Sequence, residues 1–288
     1  MNRDKFQTIF INFINEKKSI ALFCKKFSND FFDCFTPIHF QTKISKSEIE
    51  NNFEDIKFQL KKRGCIFLYI QTKNDDLKIE DINSNTTNFR SNYYLDLVQS
   101  KISILQNQKK DAHYRLNKIL KKKYKLNKYS KDIRNFFIHY KKNQNNKNFS
   151  SKYCYNESDF LKIVNIKNID YLEILNDKNE FLSGGIFAKS FEEVDYLYGV
   201  DSGIEQDATR LLIYEAAMHF KNNFFKELYL GGGTTENDSL SIFKERLGGK
   251  PLKCCRIQSV INLEEAEKRL KKKFDIDWFN GYFPPSER

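Results

Sequence analysis

Residues 227–248 read ELYLGGGTTENDSLSIFKERLG. Residues 227–230 have strand character and run into Gly231, Gly232 and Gly233, three residues that break a strand and let main chain approach another group closely. Asn237 or Asp238 then caps a helix, and Gly248, Gly249 and Pro251 stop it. On that helix Leu240, Phe243, Lys244 and Leu247 stand at i, i+3, i+4 and i+7, so Lys244 occupies the edge of an inward stripe. An ammonium in that position needs a partner. It either snorkels over Leu240 or stabilises negative charge at a reacting centre.

Upstream lies a helix over about 206–221, apolar through Leu211, Leu212, Tyr214, Ala216, Ala217 and Phe220, which requires cover on more than one side. Three strands precede it, at 171–175, 180–189 and 194–200. Their turns fall at Asn176-Asp177-Lys178-Asn179 and at 190–193. Ser158 or Asp159 caps a short helix before them, and a strand over 252–263 follows the helix stop. Three antiparallel strands, helix, strand, helix, strand describe a mixed sheet between helices, and not a dinucleotide-binding repeat. Earlier in the chain, Ser45 and Glu48 form a capping box for a helix that Gly64 ends, and a strand follows at 65–71. A polar loop over 74–92 leads to an apolar run at 93–98 and a basic helix. Residues 141–151, rich in Asn and Lys, read as a linker, giving domains at 1–150 and 151–288. The fold class is α/β, or α+β mixed.

With 40% hydrophobic residues, 27 Phe and 15 Tyr, the chain is too apolar for disorder despite 30% charged residues. It shows no secretory leader pattern and no run of apolar residues long enough to span a bilayer, so a cytoplasmic location is expected. Cys24, Cys34, Cys65, Cys154, Cys254 and Cys255 are scattered without C-x-x-C spacing, which favours free thiols and no metal. The basic charge is local. Residues 109–152 hold fifteen Lys or Arg against Asp111 and Asp132, more than the whole-chain net of +11, so the remainder is slightly acidic. This stretch is either a phosphate or RNA surface, with Tyr114, Tyr124, Tyr129 and Tyr140 for stacking, or a solvated helix face. On the second reading Ala112, Leu116, Ile119 and Leu120 point inward while Lys118, Lys121 and Lys122 face water.

The stretches ELYLGGG (227–233), DSLSIFKERLG (238–248), FLSGGIF (181–187) and YFPP (282–285) together resemble the GNAT superfamily of acyltransferases. More narrowly, they resemble its Fem-type, FemAB-like branch with two GNAT-like halves in one polypeptide. That resemblance covers residues 158–288 best, and it implies two domains, each a mixed, mostly antiparallel sheet flanked by helices. It also implies transfer of an acyl group to an amine, from an acyl-CoA or from aminoacyl-tRNA, with Lys244 as the lysine that stabilises charge on the acyl carbonyl. The R/Q-x-x-G-x-G/A loop that ordinarily opens the helix after the third strand is missing. Residues 201–207 read DSGIEQD instead, and Asp207 puts a negative charge where such enzymes hold the CoA pyrophosphate.

The site expected from these readings uses Lys244 and Asp201 for catalysis, with Asp201, Glu205 and Asp207 the candidates for the proton acceptor. Asp207 also reads as a plain helix cap, and His219 as a core residue. Gly231, Gly232, Gly233 and Thr234 are expected to hold the donor, and Tyr198 and Asp238 the acceptor. The leading function is acetyl transfer from acetyl-CoA to the amine of a nucleotide-linked amino sugar for surface polysaccharide. A Fem-type aminoacyl transfer from tRNA is the second, and a non-catalytic nucleic-acid-binding protein the third.

Overall fold

The computed structural model describes residues 6–12, 19–26, 28, 30–36, 46–72, 79, 81, 83–128, 130–146, 154–233, 238–271 and 273. In chain order the elements begin with β1 (Phe6–Asn12), β2 (Ser19–Lys26), β3 (Phe32–Phe35), α1 (Lys46–Lys62), β4 (Cys65–Thr72) and β5 (Ser84–Asp96). They continue with α2 (Lys101–Gln106), α3 (Lys110–Leu120), β6 (Tyr124–Asn127), α4 (Arg134–Asn146) and α5 (Glu157–Val164). Then come β7 (Ile169–Asn176), β8 (Phe181–Ser190), β9 (Glu193–Asp201), α6 (Ala208–Asn222), β10 (Glu227–Gly232), α7 (Ser239–Arg246), β11 (Lys250–Val260) and α8 (Leu263–Leu270).

Two compact units divide the chain: Met1–Ser91 with Leu252–Arg288, and Asn92–Pro251. The boundary expected at 150/151 falls inside the second of these. Residues 141–146 belong to α4, where Tyr140 and Gln144 are buried, so packing overrides the weak helix propensity of an Asn-rich tract.

In the first unit β1, β2 and β3 pair antiparallel, β3 and β4 pair parallel across the α1 connection, and β11 adds antiparallel to β4. Ile49, Phe53, Ile56 and Leu60 recur at helical spacing on α1 and meet Leu22, Leu68 and Ile257 of the strands in one core. Gly64, at φ +88°, ends α1 where the sequence places the stop. Cys24, Cys34 and Cys65 share this core, and Cys254 and Cys255 are buried as well, whereas Cys154 is exposed. Asp33 of β3, only 1% exposed, takes Arg269 of α8 with NH1 at 3.2 Å from each carboxylate oxygen. The same guanidinium lies 5.7 Å from the Phe67 ring. Burial pushes the Asp33 carboxyl up to about 6, against the pull of Arg269.

The second unit repeats this arrangement: β6, β7, β8 and β9 pair antiparallel, β9 and β10 pair parallel across α6, and β5 pairs antiparallel with β10. Its hairpin turn is set by Asn176, whose Oδ1 accepts the N–H of Lys178 at 3.0 Å and of Glu180 at 2.8 Å, with Asn179 left-handed at φ 59°. Asn156, and not Ser158 or Asp159, caps α5; Asp159 returns a bond to its N–H and completes the capping box. One sheet face carries the apolar α6, with α3 beside it, over Leu228 and Leu230. Phe136 of α4 and Phe160 of α5 pack with Tyr171 on a second core, edge-to-face at 5.2 and 5.8 Å. Residues 84–92, read as loop from their polarity, form the first part of β5, next to β11 in the sheet.

Candidate active site at the ends of β9 and β10

Parallel pairing between β9 and β10 is brief. It joins Glu193 to Glu227, Val194 to Leu228 and Asp195 to Tyr229, and then stops. Beyond that point β9 keeps only β8 and β10 keeps only β5. A bulge at Leu197 lies just past the last shared pair, since Tyr196 faces Phe187 while Tyr198 faces Ile186. It turns the strand over: Val194 and Tyr196 belong to the α6 side, whereas Tyr198 and Val200 belong to the α4 and α5 side. β10 carries its own bulge between Tyr229 and Gly231, and Gly231 takes φ +72°, a left-handed value that glycine adopts without strain. The strand runs on to pair Gly232 with Asn92, so the glycine triplet bends the strand without breaking it, contrary to the sequence expectation. Two parallel strands therefore part at their C-terminal ends, each with main-chain groups the other does not use.

α7 begins at the same place. Asp238 is the cap, its Oδ1 accepting the N–H of Ser241 at 2.8 Å while the Ser241 hydroxyl donates to its carbonyl at 2.8 Å. Gly233 lies against that carboxylate: a Cβ there would fall 2.1 Å from Oδ1. Lys244, 7% exposed, donates from Nζ to the carbonyl oxygen of Gly232 at 2.8 Å. Leu240 is not beneath it. That leucine is 47% exposed; of the expected stripe Phe243, Lys244 and Leu247 face the core, with Ser241 buried in place of Leu240. A short helix that buries a serine and a lysine while exposing Leu240 and Ile242 sacrifices apolar burial to hold a cation on the strand end.

The residues before α6 form the neighbouring wall. Asp207 occupies the cap position of α6, but its side chain bonds none of the N–H groups of the first turn. It faces arginines instead, 3.4 Å from Nε of Arg210 and 3.8 Å from NH1 of Arg115. Arg210 is 7% exposed, its guanidinium lies 5.5 Å from the Phe243 ring on α7, and its NH1 is buried with no hydrogen-bond partner. Lys122 pairs with Glu205 in the same connection, so this exposed lysine of the basic stretch also braces the fold.

Of the residues expected from sequence, Lys244, Gly231, Gly232, Gly233 and Asp238 come together, with Asp238 serving as helix cap. Asp201 is exposed at the end of β9, its Oδ1 accepting the N–H of Gly203 at 3.1 Å. Tyr198 packs on Tyr155 and Phe160 at 5.4 and 5.3 Å, on the opposite side of the sheet from α6. Thr234 lies outside the described residues. Arg210 and Arg115 are the members the sequence reading missed; Asp207 and Arg210 at i, i+3 were the available signal, hidden within a helix read as uniformly apolar. Among the described residues no group of three or more His, Cys, Asp or Glu is placed to hold a metal ion. No described helix is long and apolar enough to cross a membrane.

No family model matches the chain, and no curated protein matches it in sequence. The fold does have relatives among solved structures. FemX superposes with a TM-score of 0.73 over 93% of this chain and 91% of that one, at 11% identity. The C-terminal domain of an Agrobacterium fabrum protein named for lysylphosphatidylglycerol synthesis gives 0.59 over 93% and 87%, at 10% identity. L-PGS from Bacillus licheniformis gives 0.56 over 84% and 81%, at 10% identity. The chain therefore shares the fold of FemX.

Proposed function

We propose that this protein is an acyltransferase that moves an aminoacyl group to an amine, with its reaction centre where β9 and β10 part. The observation that carries this reading is Lys244, a buried ammonium fixed 2.8 Å from the Gly232 carbonyl at that strand end. Attack of an amine on an ester carbonyl places negative charge on the carbonyl oxygen, and a preset cation in a water-poor setting stabilises that charge more than it stabilises the substrate. The attacking nitrogen must lose a proton as the bond to carbon forms and the ester oxygen leaves. Asp201 is the proposed acceptor of that proton. Gly231 to Gly233, with Thr234, are proposed to border the donor, and Tyr198 and Asp238 the acceptor.

Two donor classes come with the Fem-type fold. The residues before α6 do not fit the acetyl-CoA reading, because Asp207 stands where the pyrophosphate would need an anion seat. An aminoacyl ester on tRNA is supported by the exposed Lys110, Lys118, Lys121, Lys123 and Lys125 on and after α3. It is supported also by neighbours whose name refers to a lysyl-bearing product. An amino sugar on a nucleotide carrier remains the proposed kind of acceptor amine.

The test is aminolysis of bulk charged tRNA carrying a labelled aminoacyl group, with small amines supplied. Wild-type protein should speed transfer of label, and Lys244→Met should lower that rate about 10²–10³-fold with an unchanged circular dichroism spectrum. An unaltered rate in this variant sinks the proposal.

A further inference from the structure

We infer that Asp207 is a specificity residue: it closes the N-terminus of α6 against donors that carry a pyrophosphate, and so confines the site to acyl groups borne on other leaving groups. The first turn of a 15-residue helix is by general physics an anion seat, with N–H groups and the positive end of the helix dipole directed outward. This chain adds two guanidinium groups to that seat, Arg210 from within the first turn and Arg115 from α3. The arrangement is a built anion-binding set. What occupies it is the carboxylate of Asp207, 15% exposed, which uses the arginines and leaves the helix N–H groups alone.

The fit of this internal anion is incomplete. A single carboxylate oxygen meets Arg210 Nε at 3.4 Å, while NH1 of the same residue is buried without a partner, although an arginine placed that deeply normally satisfies its donors. A diphosphate, with more oxygens and more charge, would satisfy Arg210 better but cannot enter beside a fixed carboxylate of the same sign. Asp207 thus rejects it electrostatically, and the arginines hold Asp207 in the rejecting position. Phe243, under Arg210, immediately precedes Lys244, so the seat borders the lysine proposed to act in transfer. The inference deepens the aminoacyl-transfer reading and rests on it for the word donor. Its test uses binding alone and stands apart from turnover.

Calorimetric titrations with coenzyme A, and separately with inorganic pyrophosphate, should be run on wild type, Asp207→Asn and Asp207→Asn/Arg210→Met. Asparagine keeps the shape and a hydrogen bond to Arg210, and Asp207→Ala serves as a second variant should the first melt early. Wild type should show no saturable binding of either probe up to about millimolar concentration. Asp207→Asn should gain binding of both by about tenfold or more, the scale of one moderately screened charge contact, and the double variant should lose that gain. Tight binding of coenzyme A by wild type overturns the inference. So does an Asp207→Asn or Asp207→Ala protein that folds and gains nothing, or one that gains coenzyme A but not pyrophosphate.

Discussion

The two units repeat one motif, antiparallel strands followed by a helix and a parallel strand, and each attaches an Asp–Arg pair over a phenylalanine to it. In the first unit Arg269 reaches both oxygens of Asp33 and lies over Phe67. In the second Arg210 reaches one oxygen of Asp207, lies over Phe243, and leaves NH1 unsatisfied. A buried pair with its hydrogen bonds made is a fastening; one that a fold tolerates half-made marks a place where something other than stability was selected. The strand ends differ as well: β11 lies antiparallel on β4 and β5 antiparallel on β10, but among the described residues only β10 carries a buried lysine on its terminal carbonyl.

The largest expected effect tests the fastening. Arg269→Met leaves the Asp33 carboxylate buried and alone, and urea unfolding near neutrality should show a loss of about 3–5 kcal/mol. Next comes pH. The Asp33 carboxyl is raised by burial to about 6, so the fold holds its proton over a range where the unfolded chain releases it. Its contribution is fully present below about pH 4 and declines as pH rises through about 6, by on the order of 3 kcal/mol. Asp33→Asn should flatten that slope in a melting-temperature series, and a slope that persists would assign it to other groups. The smallest effect is the sharpest comparison. Arg210→Met removes the orphaned donor, whose burial costs about 1–3 kcal/mol, together with a weak pair, and should leave stability within about 1 kcal/mol of wild type. If it costs as much as Arg269→Met, the two pairs are equivalent and the contrast fails.

Much of the second unit was legible in sequence because its signals are local. Asn176 to Asn179 set the hairpin, that turn and the one at 190–193 bounded β7 to β9, and Gly248 set the end of α7 at φ +87°. What was not legible depends on partners distant in the chain. The polar half of β5 is strand because it lies beside β11, far along the chain, and β1 to β3 drew no assignment. At the site, Lys244 was found from helical spacing, but its partner was not, since Gly232 offers a carbonyl and no side chain. On α7 only the first position of the stripe was missed, because the buried residue there is Ser241, which carries no apolar signal, and not Leu240.

Residues 92–251 interrupt the other unit, whose core needs Cys255, Ile257 and Ile261 from beyond the interruption. On the ribosome this becomes a matter of timing. Ile49, Phe53, Ile56 and Leu60 emerge well before the strand that helps cover them, and at about 5–20 residues per second the wait lasts roughly ten to forty seconds. The inserted unit meanwhile receives all of its strands in one continuous stretch and can fold first. The unit translated first is thus the one completed last, and the apolar stripe of α1 stays without its final strand in the interval.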